Sequence, residues 1–322
     1  MSDTARFRLV IAGLGFLTFL LFLLSLTVGP AAVAFGDSLR ALLSDKGDTI
    51  ALVMQEIRLP RALLGLMIGA TLGLSGAALQ GWLRNPLAEP ALLGVSASAS
   101  LGAVLAIYTG FSALFPLGLP LAVQAMVGLS GGALTVILAG IAVSSLASAL
   151  TALALNLSPN PFAALEIMFW MLGSLSDRSM THVWLAGPFM VAGWVMLASL
   201  GRALDALTLG GDAAASMGVD MQRVQFLAVF GTAASLGAAT AVAGVIGFVG
   251  LVVPHMLRPL VGARPARLLP ASALGGACVL LAADTLVRII APERDLKLGV
   301  LTALVGAPFF LWLVYKTRRQ ML

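Results

Sequence analysis

Residues Arg58 to Ala106 read RLPRALLGLMIGATLGLSGAALQGWLRNPLAEPALLGVSASASLGAVLA. Two apolar runs, 61–83 and 91–110, flank a polar turn at Arg84-Asn85-Pro86-Leu87, and a second proline follows at Pro90. Each run approaches the roughly 20 apolar residues that carry a helix across a bilayer. Hydrocarbon offers no partner to a backbone N–H or C=O, so a spanning run must bond within itself as a helix. The alternation expected of a membrane β-barrel strand is absent. Gly65, Gly69 and Gly73 recur every fourth residue and share one helix face. Such a face lets two helix backbones approach closely in lipid. Tight bundle packing is the plain use of it, and a ligand groove is the other.

The same pattern extends in both directions. Apolar segments fall near 9–29, 61–83, 91–110, 112–129, 136–157, 183–201, 222–242, 244–260, 270–291 and 300–315. They predict an all-α integral membrane protein of about ten transmembrane helices, a single domain over residues 1–322. Two crossings must share 112–137, where Gly131-Gly132 interrupts the run. Composition agrees. The chain is 60% hydrophobic and 10% charged, with a mean hydropathy of +1.02, whereas soluble domains carry about 25% charged residues. Arg6 and Arg8 precede the first run, and Ala32-Val33-Ala34 resembles a cleavage site. That run exceeds the signal core of about 7–15 residues, so it reads as a retained first span.

The net charge is +5, and the basic residues are scattered between apolar runs rather than gathered on a face, which argues against nucleic-acid binding. They act as topology signals. With the N-terminus inside, ten spans place eleven basic residues inside, among them Arg84, Arg202, Arg223, Arg258, Arg264 and Arg267, against eight outside. Both termini are then cytoplasmic. The lone Cys278 lies in an apolar run and permits no disulfide framework.

Chemistry finds little to work with. No Gly-Lys-Ser or Gly-Lys-Thr occurs, so no P-loop is present. Two histidines and one cysteine give no zinc spacing. A membrane enzyme lacks a catalytic constellation here. A secondary transporter predicts paired ionisable residues near the midplane, and only Asp284 with Arg288 comes close. Passage of a solute is the remaining reading.

One segment does not belong in lipid: LGGDAAASMGVDMQRVQ, Leu209 to Gln225. Asp212 is placed to cap a helix through Ala213, Ala214, Ala215 and Met217. Gly218 is placed to end it, and Asp220 to cap the next helix, which enters the membrane through Arg223.

The block Arg58 to Ala106 closely resembles the FecCD-type permeases, the membrane subunits of bacterial ABC importers for iron chelates, haem and cobalamin. GVIGFVGLVVPHMLRPLVGARPARLLPASALGGACVLLAADTLVRII, Gly244 to Ile290, and LGVLTALVGAPFFLWLVYK, Leu298 to Lys316, extend the match in order. The resemblance implies a type II ABC importer permease-like bundle in the bacterial inner membrane. It implies pairing with a second permease copy or a related permease, two ATP-binding subunits on the cytoplasmic face and a periplasmic substrate-binding protein outside. No cofactor is expected on this chain, since ATP and Mg would sit on the partner ATPase.

The resemblance further implies a coupling loop at about 203–221, seated in the ATPase through Leu209, Gly210, Asp212, Ala213, Ala214, Met217, Gly218 and Val219; a plain surface loop is the alternative. Gly211 and Ala215 depart from the family's usual acidic and larger polar residues there. Arg58 and Arg288 are implied to meet acidic residues of the binding protein, although Asp284 offers Arg288 an internal partner four residues away. Arg61 reads as a helix-end anchor, and Asn85 and Leu87 as a cytoplasmic gate or simply a tight turn. Glu89 is expected to favour the helix that follows it, His255 to bond locally, and Trp170 to Leu175 to form an interface belt. The path is implied along Gly140 to Leu157 and the tenth span, with an apolar, small-residue lining.

Overall fold

The computed structural model describes residues 2–29, 35–44, 48–109, 133–158, 160–291 and 296–321. Among them every regular element is helical. Helix α1 is Asp3–Thr27, α2 Phe35–Ala41 and α3 Thr49–Leu52; a wide-turn segment, Val53–Arg58, joins α3 to α4, Leu59–Trp82. Next come α5 (Val95–Thr109), α6 (Ala133–Asn156), α7 (Pro161–Met171) and α8 (Met180–Ser199). The short α9 (Gly201–Leu207) and α10 (Gly211–Ser216) precede α11 (Met221–Ala243), α12 (Val249–Val261), α13 (Pro265–Ile290) and α14 (Leu298–Met321). Nine of the ten expected spans fall on described helices. The fourth, 112–129, lies outside the described residues, as do Gly131 and Gly132. Among the described residues six helices are long and apolar enough to cross a bilayer, and α12 and the Leu298–Leu313 part of α14 are shorter apolar helices.

The pair α4–α13 forms the centre, and the glycine stripe explains why. A Cβ on Gly69 would strike the backbone of Gly276 and Ala277, and one on Gly73 would strike Ser272 O. Gly276 in turn faces Gly69 O. Backbone lies on backbone, so the stripe is a packing face, and it continues through Gly76 against Gly250 O. Helices α8 and α11 pack beside this pair in the same manner, with Gly193 against Gly231 O. Between α8 and α4, Trp194 Nε1 donates to Thr71 Oγ1 at 2.8 Å, which satisfies an indole N–H among apolar neighbours.

Several starts follow local chemistry. Asp48 accepts the N–H of Ile50, Asn160 that of Phe162, and Pro161 and Pro265 occupy first-turn positions that need no N–H. The polar stretch 36–60, expected only as a connection, is largely helical. Its Ala41, Ala51 and Met54 make a small satellite core with Leu26 and Ala62. The expected interface belt is also revised. Gly173, Ser174 and Leu175 are buried, Ser174 N–H donates to Ala243 O at 2.8 Å, and Gly299 N–H donates to Gly173 O at 3.2 Å. The run after α7 is therefore a strap across the ends of α11 and α14.

Long-range contacts fix which helix ends lie together. Arg6 Nη2 donates to Pro259 O at 3.0 Å, Arg267 lies over the Phe7 ring at 5.5 Å, and Arg258 Nη2 donates to Gln80 Oε1 at 3.1 Å. The N-terminus, the close of α4 and α12, and the opening of α13 thus share one end of the bundle, here termed the basic end. The close of α1 and α13 and the opening of α4 share the far end.

Candidate functional site

Residues 201–219 form a helical pair at the basic end, and its details depart from the sequence reading. Helix α10 is opened by Gly210, at φ +110°, and Asp212 sits inside its first turn without capping it. There its charge still favours the positive end of the helix. Gly218, at φ +83°, closes α10: its N–H donates to Ala215 O at 2.9 Å, and the Val219 N–H donates to Ala214 O at 3.0 Å. This is the two-bond closure that a left-handed glycine permits. Asp220 Oδ1 accepts the N–H of Gln222 and of Arg223, as expected. The helix it caps is the long α11, as read, and the short helix paired with α10 is α9, which precedes it.

Exposure sorts these side chains. Ala214 is fully buried, whereas Leu209 and Met217 are 68% and 63% exposed. Both line a groove of about 650 Å³ with Arg202 and Arg264. Two large apolar side chains in open positions beside two guanidiniums make a surface suited to a partner. A residue that the sequence reading missed ties this pair to the bundle: Asp205 Oδ1 accepts the N–H of Ala266 at 2.9 Å and so caps α13 from α9. The only signal for it in sequence was an isolated acid in a short polar connection.

The turn after α4 lies at the same end. Asn85 Oδ1 accepts the Leu87 N–H at 3.0 Å, so the two residues read as a gate or a tight turn meet in a side-chain-closed turn. Asn85 is exposed and Leu87 partly so. Glu89 acts elsewhere than expected. It makes no cap for the turn of 3₁₀ helix that follows it, and its Oε1 accepts the N–H of Phe248 at 2.9 Å, at the start of α12. Phe248 has φ +67°, and residues 244–248 are not helical, so the eighth span begins five residues later than expected. Glu89 thereby answers a backbone donor exposed by the break. His255 on α12 meets the edge of Phe309 at 6.2 Å. Beside the break, Val245, Gly247, Leu304 and Pro308 line an apolar recess of about 670 Å³ along α14.

At the far end the arginines are internal. Arg58 is 4% exposed, and its Nη1 donates to Leu26 O and Thr27 O, both at 3.0 Å. Arg288 donates to Ser25 O at 2.8 Å and to Ser25 Oγ at 2.7 Å, and it pairs with Asp284 at 2.9 Å. Both are held within the bundle in this structure, and the Arg288–Asp284 pair is the internal one that its four-residue spacing offered. The physical reason is the close of α1, whose last carbonyls have no partner in their own helix and no basic residue in their own last turn. Arg61, expected as a simple anchor, instead grips Asp284 through Nε and Nη2, and it is the more open member of that cluster at 17% exposure.

Comparison with known proteins places this architecture. Residues 17–316 match the FecCD transport family. The chain belongs to that family. It is 39% identical over 313 residues to the Fe(3+) dicitrate transport system permease protein FecD of Escherichia coli (strain K12), covering 92% of this chain and 95% of the relative. It is 38% identical to the hemin transport system permease protein HmuU of Yersinia pestis, with 95% and 96% covered. A similar figure, 38%, holds for the vitamin B12 import system permease protein BtuC of Salmonella arizonae, with 95% and 94% covered. A solved structure described as an inward-facing conformation of a metal-chelate type ABC transporter superposes with a TM-score of 0.85 at 32% identity, covering 96% of this chain and 99% of that one. PsaBC from Streptococcus pneumoniae, at 14% identity and a TM-score of 0.52, shares the fold alone. This FecCD-family chain is therefore a multi-span membrane permease of all-helical fold.

Proposed function

We propose that the chain is the permease subunit of a bacterial ABC importer of the inner membrane, with both termini cytoplasmic. A separate ATPase, holding the ATP and Mg, seats on Leu209–Val219. A periplasmic binding protein delivers the cargo at the far end, near Arg58 and Arg288, with Arg61 the more open cation of the Asp284 cluster. We rank an iron chelate first as cargo, ahead of haem and cobalamin; the relative named for iron dicitrate is 39% identical, against 38% for those named for hemin and vitamin B12. A second permease copy would complete the path along α6 and α14, where the recess beside Val245 and Leu304 is apolar and shallow. Asn85 and Leu87 would close it at the basic end.

The observation that supports this reading best is the α9–α10 pair. It offers Leu209 and Met217 to a partner while Asp205 fastens it to α13. A partner that pushes on the pair therefore pushes on the central helices. Reversing a gate from 1:99 to 99:1 takes about 5.5 kcal/mol of differential binding, which an ATP cycle at such a surface can supply. The test is uptake into vesicles that contain the chain, its ATPase and its binding protein. Replacing Asp212–Val219 by a Gly-Ser linker should abolish ATP-driven uptake. Uptake at the wild-type rate with the linker, or uptake without any ATPase, overturns the proposal.

A further inference from the structure

The basic end holds a second cavity, about 250 Å³, lined by Gln80, Arg84, Pro86, Thr208, Arg258 and Pro265. Its wall is fixed by a buried amide. Gln80 is 2% exposed, and its Nε2 donates to Gly250 O and Leu251 O at 3.4 and 3.3 Å, which turns its Oε1 to Arg258 Nη2 at 3.1 Å. Arg258 is thus held in place by a neutral group. Among the described residues no carboxylate pairs with Arg258 or with Arg84, the other guanidinium lining the cavity. Arg84 is exposed on a turn residue at φ +50°. The acid on α9, Asp205, is bonded to the Ala266 N–H and does not line the cavity, and the Thr208 hydroxyl donates to Asp205 O at 2.7 Å.

A partly buried guanidinium without a counter-charge is costly, and an anion in the cavity offsets that cost. Two guanidiniums suit an anion with several oxygens, which a phosphate supplies in the geometry that arginine matches best. The cavity also opens where spans end, at the level of lipid headgroups. We propose that it is a phosphate site in which Arg84 and Arg258 grip the phosphoryl oxygens of a lipid headgroup or of a free phosphate. Occupancy joins the turn after α4 to Thr208 beside α10. The site does not depend on the import reading.

The experiment uses the purified full chain in a neutral detergent and follows thermal unfolding. Short-chain phosphatidylglycerol, inorganic phosphate and phosphatidylcholine of matched chain length are titrated separately. The expected result is a saturable rise in Tm with phosphatidylglycerol, with phosphate or with both, and none with phosphatidylcholine. The apparent affinity should fall about ten-fold in Arg84→Gln and in Arg258→Gln, and stay unchanged in Arg223→Gln, an exposed arginine at the same end that lines neither this cavity nor the groove beside Leu209. A response to phosphatidylglycerol alone assigns the headgroup as the source; an equal response to phosphate assigns the free ion. Absence of saturation with either anion, or equal weakening in Arg223→Gln, overturns the proposal. So does loss of ATPase binding in Arg84→Gln with no anion response, which would give the cavity to a protein partner. Arg84 is exposed, so the test stands even where Arg258→Gln fails to fold.

Discussion

Asp284 and Arg61, 223 positions apart in sequence, meet through three short contacts: Arg61 Nε to Oδ1 at 3.0 Å and to Oδ2 at 3.1 Å, and Nη2 to Oδ1 at 2.9 Å. Arg288 Nη2 also reaches Oδ2 of the same carboxylate, at 2.9 Å. One acid therefore holds two cations, and Arg288 carries the linkage on to the last carbonyls of α1. Removing the acid leaves two guanidiniums together in a poorly solvated place. Asp284→Asn should cost about 3 kcal/mol or more, read as a lowered Tm of the purified chain. Arg61→Gln should cost less, because Arg288 still neutralises Asp284.

The α4–α13 contact makes a prediction about size. Gly73→Ala drives a methyl into Ser272 O, and the two helices must separate to admit it. Overpacking of this sort costs about 1–3 kcal/mol. Gly13→Ala in α1 meets nothing within 4 Å and should be neutral. Equal Tm values for the two variants would contradict the close approach.

Asp205 is expected to matter twice. Asp205→Ala removes the cap on α13, at about 1 kcal/mol, and it also frees α9 from the helix it would move. Uptake should fall while ATP hydrolysis by the assembled complex persists. Asp205→Asn keeps an acceptor oxygen and should restore much of the uptake. A purely structural role would lower both activities together.

Glu89 caps a chain break through a single oxygen, so shape and hydrogen bonding can be separated from charge. Glu89→Gln retains an acceptor for the Phe248 N–H and should leave folding intact. Glu89→Ala orphans that N–H at a cost of about 1–3 kcal/mol. Paired thermal unfolding of the two variants checks the order.

What the sequence made legible was periodic or local. The apolar runs marked the described spans, the spacing of Gly65, Gly69 and Gly73 marked a packing face, and Gly218 and Asp220 ended and began helices where read. Asp212 misled because a glycine, Gly210, adopts the opening conformation two residues earlier and displaces the acid into the first turn. The arginines were legible only in part. The Asp284–Arg288 pair followed from its four-residue spacing, whereas the carbonyls of α1 that hold Arg58 and the carboxylate that holds Arg61 are brought near only by the tertiary arrangement. Glu89 likewise serves a backbone donor 159 positions away, just before α12. The wide-turn segment before Arg58 left no sequence mark, since its residues are ordinary helix formers.

The interleaved backbones of α4 and α13 carry a mechanical consequence. Two rods whose peptide groups touch cannot slip lengthwise without lifting apart, so the pair behaves as a keel. Any change of shape must swing the outlying helices about it.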